Sequence, residues 1–210
     1  MRKVCLIPLF GNYDTLKDPG FISEGWEYFV VTDKHPGTEL IKPIYPLFAD
    51  ELDDKRKSSF VKTQPHRFVS ADIYITMDAS IEHSIDFNAI QFNYDIKLLC
   101  STVRDCFYDE ALTNIQYKKD DPVIICKQIQ AYFDEEYPLH SGMVGCGFMI
   151  RKNTSRMREF GQLWFSEMLK YSKREQLSFN YIKWKNWDMI NYELFEPEFW
   201  NFIKIHNHNK

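Results

Sequence analysis

The chain has 210 residues, 44% of them hydrophobic and 16% aromatic; this is enough apolar material for one packed domain and excludes a disordered segment. Lys and Arg number 26 against 30 Asp and Glu, and the net charge of −4 excludes bulk binding of nucleic acid through phosphate neutralisation. No apolar run approaches the roughly 18 residues of a membrane-spanning helix, and five Cys without a CxxC spacing read as buried free thiols of a reducing, cytoplasmic compartment.

"KVCLIPLF" (3–10) reads as a buried first strand closed by Gly11-Asn12; it is short and interrupted by Pro8, unlike a signal peptide. "EYFVVTDK" (27–34) reads as a second strand ending near Asp33. The charge run "DELDDKRK" (50–57) leads into "FVKTQPHRF" (60–68), expected helical on either side of Pro65. "DIYITMD" (72–78) reads as a third strand that stops at Asp78. After a mixed stretch through "IKLLCS", helices are expected over 109–117 and 121–137, with Pro122 suited to a first turn. "SGMVGCGFMIRK" (141–152) combines three glycines with a strand. "SRMREFGQLWFSEMLKYS" (155–172) has apolar residues at helical spacing, from Met157 and Phe160 through Leu163, Trp164 and Met168 to Tyr171.

Alternating strands and helices predict an α/β domain with a mainly parallel sheet, where ligands bind at the carboxyl ends of the strands. Gly11-Asn12, Asp33 and Asp78 would then share one edge. Neither a GxGxxG nor a GxxxxGK[ST] pattern occurs, so a bound diphosphate needs a metal or cationic side chains. Arg56, Lys57, Lys62, His66 and Arg67 precede the third strand and supply such cations, or else form a solvated helix face. At the end of the chain, His206 and His208 alternate; in an extended segment both point to one side, as metal ligands or as a frayed tail. Glu175 and Asp188 are carboxylates that could act as a base.

In order along the chain, the runs "RKSSFVKTQPHRF", "YITMDAS", "STVRDCFYDEA", "QIQAYFDEEYPLHSGMVGCGFMIRKNT" and "LWFSEMLKYSKREQLSF" resemble the GT-A class of glycosyltransferases. They are most similar to the plant glycosyltransferase-like family of mucilage and cell-wall polysaccharides. The compact form also resembles the glycosyltransferase domain of a chlorella virus protein, which implies the host-cell cytoplasm. The resemblance implies a single Rossmann-like GT-A domain over 1–210, alone or as one piece of a longer protein. It implies a UDP-sugar donor carrying a hexose or deoxyhexose, a glycan acceptor, and a bridging Mn²⁺ or Mg²⁺ ion. Where GT-A enzymes carry Asp-x-Asp, this chain reads Asp78-Ala79-Ser80, so the implied metal set is Asp78, Ser80 and a late histidine, His206 or His208.

By the same resemblance, Pro8, Gly11, Asn12 and Tyr13 flank the uracil and Asp33 contacts base or ribose. Lys62 and Arg67 approach the phosphates. His140, Ser141 and Gly142 face the donor sugar, while Glu175-Gln176 resembles an acid–Gln pair binding sugar hydroxyls. Retention of the anomeric configuration is the expected outcome, with Glu175 or Asp188 as the base if the enzyme inverts. A non-catalytic carbohydrate-binding module and a nucleotide-sugar hydrolase are the alternatives.

Overall fold

The structure is a computed structural model that describes residues 1–48, 51–91 and 93–207. In chain order its strands are β1 (Lys3–Leu9), β2 (Trp26–Thr32), β3 (Lys42–Ile44), β4 (Ile73–Met77), β5 (Ile81–His83), β6 (Ile96–Cys100), β7 (Val144–Lys152), β8 (Tyr192–Leu194) and β9 (Ile203–Ile205). Its α-helices are α1 (Asp54–Thr63), α2 (Phe107–Gln116), α3 (Pro122–Asp134), α4 (Ser155–Lys170) and α5 (Gln176–Lys185).

A seven-stranded sheet has the order β3-β2-β1-β4-β7-β6-β8, and every strand but β7 points the same way. The inner strand β1 is buried from Val4 to Leu9, which explains why "VCLIPL" runs apolar without alternation. Its pairing with β2 continues to Leu9↔Thr32, but its pairing with β4 stops at Leu6↔Thr76. Beyond that point β1 has one neighbour, a setting that tolerates Pro8. The gap between the ends of β1 and β4 is also where the sheet changes winding direction, the usual place for a ligand in open α/β sheets.

Local chemistry sets the helix boundaries. Asp53 caps α1 by accepting from the Arg56 amide at 2.9 Å, and Pro65 ends the helical run, opening a short 3₁₀ turn (Pro65–Arg67) instead. Asp121 caps α3 ahead of Pro122, and Thr154 caps α4 through the Met157 amide. Helix α4 packs on α1 at Gly161, where a Cβ would lie 2.1 Å from the Thr63 carbonyl oxygen. The apolar face of α4 is buried at Met157, Phe160, Trp164 and Met168, while Leu163 and Tyr171 are only partly covered. Of the five free thiols, Cys5, Cys106 and Cys146 are buried, but Cys100 is half-buried and Cys126 exposed, so the expectation of buried cysteines holds for three positions. Among the described residues no helix is long and apolar enough to cross a membrane.

Segments with little periodicity departed furthest from expectation. Helix α5 begins at Gln176, directly after Glu175, and the short strands β3, β5, β8 and β9 carry too few residues to show a pattern. Strands β5 and β9 form a separate pair with Ile81 opposite Ile205, and the His206 amide donates to the Ser80 carbonyl at 2.8 Å. The C-terminal segment therefore folds back along the stretch that follows Asp78.

Candidate active site

A cavity of about 580 Å³ opens at the carboxyl ends of β1 and β4. Its floor is formed by Pro8, Leu9 and Phe10 from β1 and its exit, by Asp78 after β4, and by Cys146 and Gly147 of β7. Helix α1 contributes Asp54, Lys55, Ser58 and Lys62. Two connecting loops complete the wall: Tyr117, Lys118 and Lys119 between α2 and α3, and Lys173, Arg174 and Glu175 between α4 and α5, with Gln176 opening α5. Among the described residues, six cations line the cavity against four carboxylates, in a chain that is acidic overall. A second cavity of about 300 Å³ shares Leu9 and Asp14 with the first and is lined by Gly11, Asn12, Thr32 and Lys34 among others.

Asp78 is anchored by its amide, which donates to the Gly147 carbonyl at 2.8 Å, and its side chain remains about one-third exposed at 35%. Its Oδ1 is ion-paired to Lys62, whose ammonium is otherwise fully buried. Lys62 Nζ also lies 3.3 Å from Glu175 Oε1. The same Glu175 oxygen receives Lys55 Nζ at 2.9 Å and the Ser59 hydroxyl at 2.9 Å. The Trp164 indole donates to the Glu175 carbonyl at 3.2 Å, fixing the backbone of that residue from the core side. A single charged chain thus runs from Glu175 through Lys62 to Asp78.

Burial alone would raise the Glu175 pKa, but Lys55, Lys62 and Arg174 outweigh it and hold the carboxyl well below the usual range. Burial would likewise lower the Lys62 pKa, yet Asp78 and Glu175 win and push it up, so Lys62 carries a proton at any working pH. Lys55 is lowered, chiefly by burial. Burial pushes the Cys146 thiol well up, so this cavity-lining cysteine is no thiolate nucleophile.

Several expected residues meet here. Pro8, Tyr13, Lys62, Asp78, Glu175 and Gln176 line the first cavity, and Gly11 and Asn12 line the second. Others stand elsewhere. Asp33 is exposed beside the second cavity, between its lining residues Thr32 and Lys34. Arg67 is exposed in the 3₁₀ turn past the far end of α1. His140, exposed, bonds Asp105 at 2.9 Å; Ser141 caps the Pro138 carbonyl; and Gly142 supplies a positive φ of 84°. In the glycine-rich stretch it is instead Gly147 that adjoins the site, since a Cβ there would meet Asp78 Oδ2 at 3.2 Å. Asp188 is exposed in the turn after α5 and does not line the cavity. Arg56 and Lys57 are consumed locally: Arg56 donates to the Met168 and Tyr171 carbonyls at the end of α4, and Lys57 pairs with Asp54.

The residues that sequence reasoning passed over are Lys118, Lys119 and Lys173, with Asp14 and Asp54. Lysines in a turn between helices look like ordinary solvated charges. Only the packing of the two loops brings them together.

The divalent ion implied by the resemblance needs carboxylate and imidazole donors converging on one point. Among the described residues, no group of three His, Cys, Asp or Glu side chains could hold one. Asp78 is engaged by Lys62, Ser80 is buried, and His206 Nε2 lies 2.7 Å from Glu82 Oε2; His208 lies outside the described residues. Among the described residues the donor set does not fit a divalent ion.

A mostly parallel sheet with one reversed strand, flanked by helices and opening a charged cleft at the end of β4, defines a GT-A glycosyltransferase architecture. The chain belongs to the family described as "TOD1/MUCI70, glycosyltransferase-like domain", which matches residues 52–208. No curated protein matches it in sequence. Among solved structures it is similar to the apo-form glycosyltransferase GlyE of Streptococcus pneumoniae TIGR4, with a TM-score of 0.51 and 9% identity over 93% of this chain and 45% of that one. It is also similar to mouse xyloside xylosyltransferase 1, with a TM-score of 0.47 and 8% identity over 91% of this chain and 84% of that one. The chain thus spans less than half the length of GlyE.

Proposed function

We propose that this chain transfers a hexose or deoxyhexose from a UDP-sugar to a sugar hydroxyl of a glycan. The observation that carries the reading is the cation-rich cavity at the ends of β1 and β4, lined by the Asp78–Lys62 ion pair, in a chain of a glycosyltransferase-like family. The second cavity, continuous in lining with the first, suits the nucleoside end of the donor, and the cationic wall suits the diphosphate.

Departure of the nucleotide places negative charge on the diphosphate. Fixed cations in a partly dehydrated cleft stabilise that charge without reorganising, the main electrostatic contribution to such a reaction. Retention is the stereochemical outcome proposed. Glu175 is ion-paired and held deprotonated far below neutral pH, so it is too weak a base for an acceptor hydroxyl, and Asp188 lies outside the cavity. A donor-phosphate oxygen then takes the acceptor proton.

The test is a panel of UDP-sugars incubated with mixed glycan acceptors, with UDP release and product mass followed together. Acceptor-dependent UDP release with a matching mass gain supports the reading. UDP release at one rate with or without acceptor identifies a hydrolase instead. NMR of the purified product reads its anomeric configuration, and an inverted product contradicts retention.

A further inference from the structure

Resting on the donor reading above, we propose that the chain holds the donor's diphosphate with its own ammonium and guanidinium groups, Lys62 taking the place of a divalent ion beside Asp78. Three observations carry this.

The first is occupancy. Lys62 Nζ is fully buried and contacts Asp78 on one side and Glu175 on the other. A divalent cation brought to Asp78 would meet that ammonium at close range and be repelled by it. Lys62 cannot simply swing away, because its stem lies in the core and Glu175 holds its other side. Glu175 is itself fixed by Lys55, Ser59 and the Trp164 indole.

The second is supply. Among the described residues, Lys118, Lys119 and Arg174 line the cavity without an ion-pair partner. Arg174 Nε is buried and has no hydrogen-bond acceptor, an arrangement that costs free energy unless a ligand provides one. Guanidinium and ammonium donors match phosphate oxygens well.

The third is preorganisation. Asp120, adjoining Lys119, accepts the Ser172 hydroxyl at 2.7 Å and the Lys173 amide at 2.9 Å. One carboxylate therefore ties the loop carrying Lys118 and Lys119 to the loop carrying Lys173 and Arg174. The cations are mounted on a fixed wall rather than on free tails.

The experiment is calorimetric titration of the full chain with UDP, and separately with uridine, in buffer containing EDTA and in buffer containing Mn²⁺. The expected result is UDP affinity equal within about twofold in the two buffers. The Lys118→Gln/Lys119→Gln variant, changed only at exposed positions, should bind UDP about tenfold or more weakly while its uridine affinity stays put, the loss of charge-assisted phosphate bonds. Arg174→Gln should show the same selective loss. UDP binding that is weakened tenfold by EDTA and restored by Mn²⁺ overturns the proposal. So does an equal loss of UDP and uridine affinity in the loop variants, which marks a structural role. Absence of UDP binding in both buffers overturns the donor reading itself, a different failure from dependence on Mn²⁺.

Discussion

Glu175 shows how burial redirects a residue that looks catalytic in sequence. Its carboxylate is 2% exposed and serves two lysines and a serine, so removing its charge leaves Lys55 without its partner and Lys62 with Asp78 alone. Glu175→Gln should lose about 3–5 kcal/mol of stability in urea unfolding, the usual cost of breaking a buried ion pair from one side. The folded-state pKa is depressed, so the stabilisation is fully present above the unfolded value of about 4.3 and is lost as pH falls below it. His66 works over a different range. Burial, with Arg151, Arg158 and Arg67 nearby, lowers its pKa to about 4, beneath an unfolded value of about 6.5. The unfolded chain therefore takes up that proton first, and stability declines as pH falls from 6.5 toward 4. His66→Gln should show a smaller drop in Tm between pH 7 and pH 5 than the parent; an unchanged drop would assign that pH dependence elsewhere. Asp14, a carboxylate lining both cavities, tests stereochemistry from the enzyme side. Under retention, Asp14→Asn should lower kcat by less than about tenfold, whereas a general base is worth roughly 10²–10⁴-fold.

At the level of elements, the site depends on two close approaches. Helix α1 carries Lys55, Ser58 and Lys62 to the cavity, and its seat against α4 requires Gly161. Gly161→Ala puts a methyl group against the Thr63 carbonyl and should destabilise the fold by about 1–3 kcal/mol, as overpacking does. UDP affinity should fall with it, because α1 shifts with its lysines; stability equal to the parent's would show that α4 yields freely at this contact. The other approach is the Asp120 tie between the loops. How much of this was legible in the sequence follows from periodicity. Strands β1, β2 and β4 and helix α4 announced themselves as apolar runs or helical stripes, because each buries a face along its whole length. The two basic loops did not, because a loop's position is set by tertiary bonds such as Ser172 to Asp120, across 52 residues.

For the whole molecule, sheet order decides which of the sequence's candidates become neighbours. Asp78 and Lys62 were expected near the donor, and both line the cavity because β4 ends beside β1 with α1 laid across them. Arg67, a few residues on, was expected beside Lys62, but the 3₁₀ turn after Pro65 carries it away; no local pattern distinguishes the two. The tail was expected to offer a metal ligand beside Asp78 or to fray, and the pairing of β9 with β5 returns it to Ser80, where His206 engages Glu82. Ser80, expected among the metal ligands, is buried, and the Asp78 carboxylate before it is already met by the ammonium of Lys62. A crystal structure of the chain with UDP bound tests this seating of the diphosphate most directly. The diphosphate is expected within hydrogen-bond distance of Lys62 or Arg174, with the uracil toward Gly11 and Asn12. UDP seated away from the ends of β1 and β4, with its phosphates touching none of these cations, would contradict it.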